Sequence, residues 1–245
     1  MTPGYYEREL QSFVAGHRGF PPAAVPTVED ALRIAAAGPL LDVRKFRRKP
    51  VLPRVQRVID WLSESGPESV IDVGTGRGTA LWPIMDALRG LQVSATDIYP
   101  GRAHDLLAMR QGGHPQIRSA WACPAEDLGE VPSRGFTVAM ALEVLEHTTE
   151  PARALAEILR VARREVILSF PCNGDNNPDH VWLFTTDDYA ATPGPHAKAY
   201  PLGDLLGDAV RFSGRVLHKV ERQYAPVRPQ SPAAIHTMLR VTLEG

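Results

Sequence analysis

Cysteine is nearly absent from this chain of 245 residues: Cys123 and Cys172 are the only two, and they form neither a CxxC pair nor a disulfide framework. A reducing, cytoplasmic setting is the expectation. Charge of one sign is equally lacking, with a net charge of −1 and an isoelectric point near 6.7. That balance gives no global attraction to nucleic acid or to an anionic membrane, and leaves room only for a local basic patch. No apolar run approaches the roughly 20 residues needed to cross a bilayer, and the opening MTPGYYEREL has neither a basic stretch nor an apolar core of the secretory type. No internal repeat is visible. What the chain does have is 44% hydrophobic residues, enough for the core of one α/β domain.

The first 50 residues read as a cap or lid, irregular around Pro21, Pro22 and Pro26 and then helical from Thr27 to Ala37, with Thr27 as the cap. A helix starts near Val51, where Val51, Val55, Ile59 and Leu62 recur at helical spacing, and Gly66-Pro67 stops it. From there to residue 245 strands and helices alternate. The expected strands are Ser69–Val73, Leu91–Thr96, Ser119–Cys123, Phe136–Leu142 and Val166–Phe170, with helices at Ala80–Leu88 and Ala152–Arg163. That order implies a mostly parallel sheet with helices on both faces. Arg215–Tyr224 and Thr237–Leu243 then suggest a closing antiparallel hairpin, and residues 171–201 read as a substrate-side loop.

The run Ser69-Val70-Ile71-Asp72-Val73-Gly74-Thr75-Gly76-Arg77-Gly78-Thr79 joins an apolar strand to a glycine turn. Its glycines read GxGxG, whereas a dinucleotide fingerprint requires glycine where Thr79 stands. Asp72 beside the turn suits a cationic ligand better than a pyrophosphate. Asp72 to Gly78 resembles the first motif, (D/E)xGxGxG, of the class I S-adenosylmethionine-dependent methyltransferases, and the resemblance runs from about Val55 to the C-terminus. It implies a Rossmann-like, seven-stranded, mostly parallel sheet with one reversed strand, and S-adenosylmethionine as cofactor.

In an open parallel sheet, ligands sit beyond the carboxyl ends of the strands at the point where strand order reverses. Asp97, closing the second strand, stands where an acid accepts hydrogen bonds from ribose hydroxyls. Ala125-Glu126-Asp127-Leu128 resembles the acidic motif that receives the adenine amine, with Asp127 as the main candidate, and Ile98 is placed to stack on the base. The expected cofactor site is thus Asp72, Gly74, Thr75, Gly76, Gly78, Asp97, Ile98, Ala125, Glu126, Asp127 and Leu142.

The fourth strand runs into Ala141-Leu142-Glu143-Val144-Leu145-Glu146-His147, which in the resembled family lies beside the methionine part of the cofactor. If this segment is helical, Glu143, Glu146 and His147 stand at i, i+3 and i+4 and face one side. With His180 as a fourth ligand, the set suits Mg²⁺, Mn²⁺ or Zn²⁺. The layout resembles the metal-dependent RNA 2′-O-methyltransferases, where ExxEH is followed after the fifth strand by Asp-His and an aromatic segment; here that is Asp179-His180-Val181-Trp182-Leu183-Phe184. A metal there lowers the pKa of a ribose hydroxyl. The metal-free alternative makes His147 the general base, with His180 the second candidate.

The basic run Arg44-Lys45-Phe46-Arg47-Arg48-Lys49 is the main pointer to RNA, against the alternative of a solvated face or a flap. Trp182, Phe184, Tyr189, His196 and Tyr200 either select substrate or anchor the loop that carries them. The leading expectation is methyl transfer to O or N of a small molecule. Metal-assisted RNA methylation is the alternative, and a cofactor-binding protein without turnover is a third.

Overall fold

A computed structural model of the protein describes residues 4–173, 177–187, 197–228 and 231–244, with the side chains at 172–173, 227–228 and 231–234 left aside. Tyr189 and His196 lie outside the described residues, as does the Cys172 side chain. A seven-stranded sheet is built from β1 (Ser69–Val73), β2 (Gln92–Asp97), β3 (Ile117–Ala122), β4 (Phe136–Leu142), β5 (Ala162–Asn173), β8 (Leu217–Arg228) and β9 (Ser231–Leu243). The strand order is β3-β2-β1-β4-β5-β9-β8; the first five strands are parallel, and β9 runs antiparallel to both its neighbours. The expected seven-stranded sheet with one reversed strand is therefore present.

Period-two alternation sends successive side chains to opposite faces, and each face has its own core. Val70, Val138, Met140, Ile167 and Met238 pack under α3 (Pro53–Ser65), α4 (Leu81–Ala87) and α5 (Pro100–Gln111). Ile71, Val73, Ala139, Ala141, Val166, Leu168, Leu239 and Val241 pack under α6 (Pro151–Val161) and α7 (Leu202–Ser213). Strand order reverses between β1 and β4, so a crevice opens at the carboxyl ends of these strands.

The amino-terminal segment departs from the expected irregular start. Residues Glu7–Arg18 form a helix, α1, with Glu7 and Glu9 in the first turn, His17 and Arg18 in the last, and Gly19 in the left-handed conformation at its end. Leu10, Phe13 and Val14 are buried in the same core as α3, α4 and α5. The α1–α5 crossing is close, since a Cβ on Gly16 would lie 1.7 Å from the Ala108 carbonyl oxygen. The helix expected over Thr27–Ala37 is α2 (Val28–Ala36), capped by Thr27 Oγ1, which accepts from the Asp30 amide at 3.0 Å. Two further corrections fall after β5. The segment read as loop contains a small parallel pair, β6 (Trp182–Thr185) and β7 (Lys198–Pro201), and α7 follows it directly. Among the described residues no helix is long and apolar enough to cross a membrane.

Candidate active site

The turn after β1 is fixed by three glycines in the left-handed region, Gly74, Gly76 and Gly78. Two of them also give way to a neighbour: a Cβ on Gly74 would lie 2.7 Å from Val144 Cγ2, and one on Gly78 would lie 2.0 Å from the Trp82 indole. Trp82 is held there by its Nε1, which donates to the Arg77 carbonyl at 3.0 Å. Over Gly76 the space is open, with nothing nearer to an added Cβ than the Gly74 carbonyl oxygen at 4.0 Å. This leaves a cradle lined by backbone atoms at the carboxyl end of β1.

Two carboxylates flank the cradle. Asp72 is buried near the end of β1, and burial together with the neighbouring Asp97 charge pushes its pKa from 3.8 up to about 7, against the pull of the Thr75 hydroxyl. Such a group gains from a cation placed beside it. Asp97, buried at the end of β2, accepts from the Gly76 amide at 2.8 Å and the Tyr99 amide at 3.0 Å, and Arg102 Nη1 donates to both its oxygens. Ile98 is 63% exposed, so its side chain is free to meet a base. Asp127 is exposed and accepts from the Gly129 amide, Glu126 is occupied by the Thr149 amide and hydroxyl, and Ala125 is half-buried. The Cys123 thiol is pushed up to about 11 by burial and by the acids Glu130, Asp127 and Glu157, which leaves it without nucleophilic character near neutral pH.

After β4 the backbone departs from the helix that the ExxEH spacing suggests. Glu143 has φ of 60°, and only Leu145–His147 form a short 3-10 turn. The left-handed residue divides the expected ligand set. Glu146, His147 and His180 come together, with one ligand atom from each lying within 4.8 Å of the others, and the two imidazole centroids are 4.5 Å apart. Glu143 turns away from them. Its Oε2 lies 2.6 Å from His236 Nε2, its Oε1 accepts from Ser169 Oγ at 2.7 Å, and Arg54 Nε stands 4.0 Å away. Burial raises the Glu143 pKa, but the His236 and Arg54 contacts outweigh it and hold the carboxyl below its usual range. His236, within β9 opposite Pro171, carries no signal in the sequence because no motif surrounds it.

His147 Nδ1 is 3.2 Å from the Asp179 carbonyl. A carbonyl only accepts, so this contact puts the proton on Nδ1 and leaves Nε2 with a lone pair on an exposed ring. His180 is buried, and the Asn177 carboxamide nitrogen stands 2.9 Å from its Nε2. Leu142, one residue before the kink, is buried at the end of β4. Trp182 and Phe184 anchor this region: the Trp182 indole donates to the Thr148 carbonyl at 2.9 Å, and Phe184 is fully buried against Phe170.

The basic run is largely engaged within the fold. Lys45 Nζ reaches Asp105 at 2.5 Å and sits 4.3 Å from the Phe13 ring centroid, and Phe46 is fully buried. Arg47 donates to the Tyr5 hydroxyl, and Arg48 to Asp86 and the Tyr5 carbonyl.

Residues 71–168 match a family model described as a methyltransferase domain. No curated protein matches the chain in sequence at a significant level. Among solved structures, the N-terminal domain of EvdMO1, crystallised in the presence of SAH and D-fucose, is similar with a TM-score of 0.52 over 81% of this chain and 86% of its own, at 13% identity. Magnesium protoporphyrin IX methyltransferase from Synechocystis PCC 6803, with bound SAH, gives 0.51 over 78% and 82% at 19% identity. The [4+2]-cyclase SpnF gives 0.51 over 76% and 80% at 16% identity. At such identities the likeness is one of fold.

Proposed function

We propose that the chain is a class I S-adenosylmethionine-dependent methyltransferase, a reading supported by the methyltransferase-domain match over residues 71–168 and by the Asp72–Gly78 turn, and that it transfers the methyl group to an oxygen or nitrogen of a small-molecule acceptor. One observation carries the choice of a small acceptor over RNA. The one concentrated basic run spends Lys45 and Arg48 on Asp105 and Asp86, Arg47 on Tyr5 and Phe46 on the core. A phosphate backbone would have to compete with these internal pairs.

In this reading the Gly74–Gly78 cradle receives the cofactor's amino-acid tail, Asp97 its ribose and Ile98 its adenine, with Asp127 near the exocyclic amine. Asp72 adds a negative field beneath a cationic cofactor. The acceptor lies toward the segment after β4, where His147 Nε2 is the base for its proton and His180 supports that ring. Rate enhancement then comes chiefly from holding nucleophile and methyl carbon in line in a site shielded from water.

A second reading is favoured by the Glu146, His147 and His180 cluster, whose ligand types suit Mg²⁺, Mn²⁺ or Zn²⁺. With Glu143 committed to His236, the protein would supply three ligands rather than four, leaving positions for acceptor oxygens. The two readings separate in one experiment. Calorimetric titration of S-adenosylmethionine and SAH, followed by a methyl-transfer assay on phenols, carboxylates, amines and a short RNA, is run with Mn²⁺ and with EDTA. Turnover of a small acceptor unaffected by EDTA supports the first reading. Mn²⁺-dependent methylation of RNA ribose, lost in His147→Ala, replaces it with the second. Cofactor binding without turnover of any acceptor favours a binding protein.

A further inference from the structure

Asp97, to which the cofactor reading above assigns the ribose, has no acceptor capacity left. An ionised carboxylate offers about four lone-pair sites. On Oδ1 they are taken by the Tyr99 amide at 3.0 Å and Arg102 Nη1 at 3.1 Å, and on Oδ2 by the Gly76 amide at 2.8 Å and Arg102 Nη1 at 3.0 Å. The amides are fixed by the glycine turn and by the entry to α5. Arg102 alone among these donors is a side chain that can leave. Its side chain is 37% exposed, against 3% for Asp97, and its guanidinium lies 4.5 Å from the centroid of the exposed Tyr99 ring. Beside it is a cavity of about 240 Å³ lined by Asp42, Lys45, Thr75, Gly76, Arg77 and Asp105; Asp42 is already paired with Arg77, and Asp105 with Lys45 and His17, so what the cavity offers the guanidinium is open space.

We infer that Arg102 is a placeholder for the ribose. It neutralises the buried Asp97 carboxylate while the cradle is empty, and it swings out into the adjoining cavity and solvent when the ribose hydroxyls arrive. The physical need is plain, since a buried carboxylate without a partner is strongly unfavourable. The consequence is that cofactor binding exchanges an ion pair for ribose hydrogen bonds, so Arg102 weakens the affinity it is placed to prepare for. It is a residue that sets cofactor affinity without contacting the cofactor. This inference rests on the assignment of the ribose to Asp97.

The test is calorimetric titration of SAH into wild type, Arg102→Ala, Arg102→Gln and Asp97→Asn, at low and high salt, with thermal melts to establish folding. The expected result is that both Arg102 variants bind SAH about two- to tenfold more tightly, the range for releasing one partly exposed ion pair. Asp97→Asn binds more weakly. Wild-type affinity rises with salt because screening loosens the pair, and the Arg102 variants lose that dependence. A pair that served only the fold would lose affinity when either half is removed, so opposite signs for its two halves are the signature. Equal or weaker binding by the folded Arg102 variants overturns the inference while the cofactor assignment stands. Absence of SAH binding by wild type overturns the assignment and the inference with it.

Discussion

Asp72 gives the sharpest quantitative expectation. Its pKa rises from 3.8 to about 7 because the carboxyl is buried near the end of β1 with Asp97 nearby. A carboxyl whose folded pKa lies above its unfolded value destabilises the fold as pH increases: the penalty begins near pH 4, grows up to about pH 7 and is constant above. With 1.36 kcal/mol for each pH unit of displacement, the full penalty is of order 4 kcal/mol, and about 2.5 kcal/mol of it develops between pH 5 and pH 8. Asp72→Asn keeps the shape and removes the titration. Urea denaturation of wild type and variant across that range is the measurement, because titrating groups that do not interact with Asp72 cancel in the difference. The variant should gain on wild type by about 2.5 kcal/mol as pH rises from 5 to 8. A difference that does not change with pH refutes the reasoning, since it would mean the carboxyl is hydrated rather than buried. The same acid should release a proton when a cationic cofactor binds near pH 7, visible as a dependence of the binding heat on the buffer's ionisation enthalpy.

Three other outcomes are expected. Asp97→Ala removes charge-assisted hydrogen bonds worth about 1.5–3 kcal/mol, so S-adenosylmethionine affinity should fall on the order of 10- to 100-fold by calorimetry. Gly78→Ala forces a side chain onto a backbone with φ of 77° and displaces the Trp82 indole; strain of about 1–3 kcal/mol alone predicts a melting temperature lower by roughly 2–12 °C, measured by thermal shift. Glu143→Gln and His236→Ala, made singly and together, should show a coupling of about 1–3 kcal/mol in denaturant unfolding near neutral pH. Because the Glu143 carboxyl is held below its usual range, that coupling persists through mildly acidic pH and disappears only as pH falls through the depressed value; purely additive effects would mean the pair is not formed.

Much of the frame was legible from local pattern. β1 and β4 fall where their apolar runs predict, since strands buried on both faces read as continuous apolar stretches bounded by turns. α2 begins at its Thr27 cap because the capping oxygen and the helix start are one local event. α1 went unread because the residue before it, Tyr6, makes no side-chain cap, and its apolar residues are few in an otherwise polar sequence. Tertiary packing on α5, through Gly16 beside Ala108, supplies what the sequence does not advertise. β6 and β7 are four residues each and pair across an intervening segment, so no period long enough to detect exists in either.

The segment after β4 shows where spacing ceases to inform. Reading Glu143, Glu146 and His147 as one face presumes a single conformation over five residues, and one left-handed residue at 143 breaks it. A positive φ is uncommon outside glycine and carries a cost of order 1–3 kcal/mol, so the surroundings must hold it in place. Here the hold is visible: the Glu143 amide donates to the Ser169 carbonyl at 2.9 Å, and its carboxylate is gripped by His236, Ser169 and Arg54. Those partners come from β5, β9 and α3, none of them near Glu143 in the chain. The kink therefore depends on the assembled sheet, and it sends one acid toward β9 while leaving Glu146, His147 and His180 grouped beside β6. Four residues that look like one ligand set in sequence thus become parts of two separate polar clusters at the same end of the sheet, one gripping the kinked backbone and one presenting an open imidazole nitrogen.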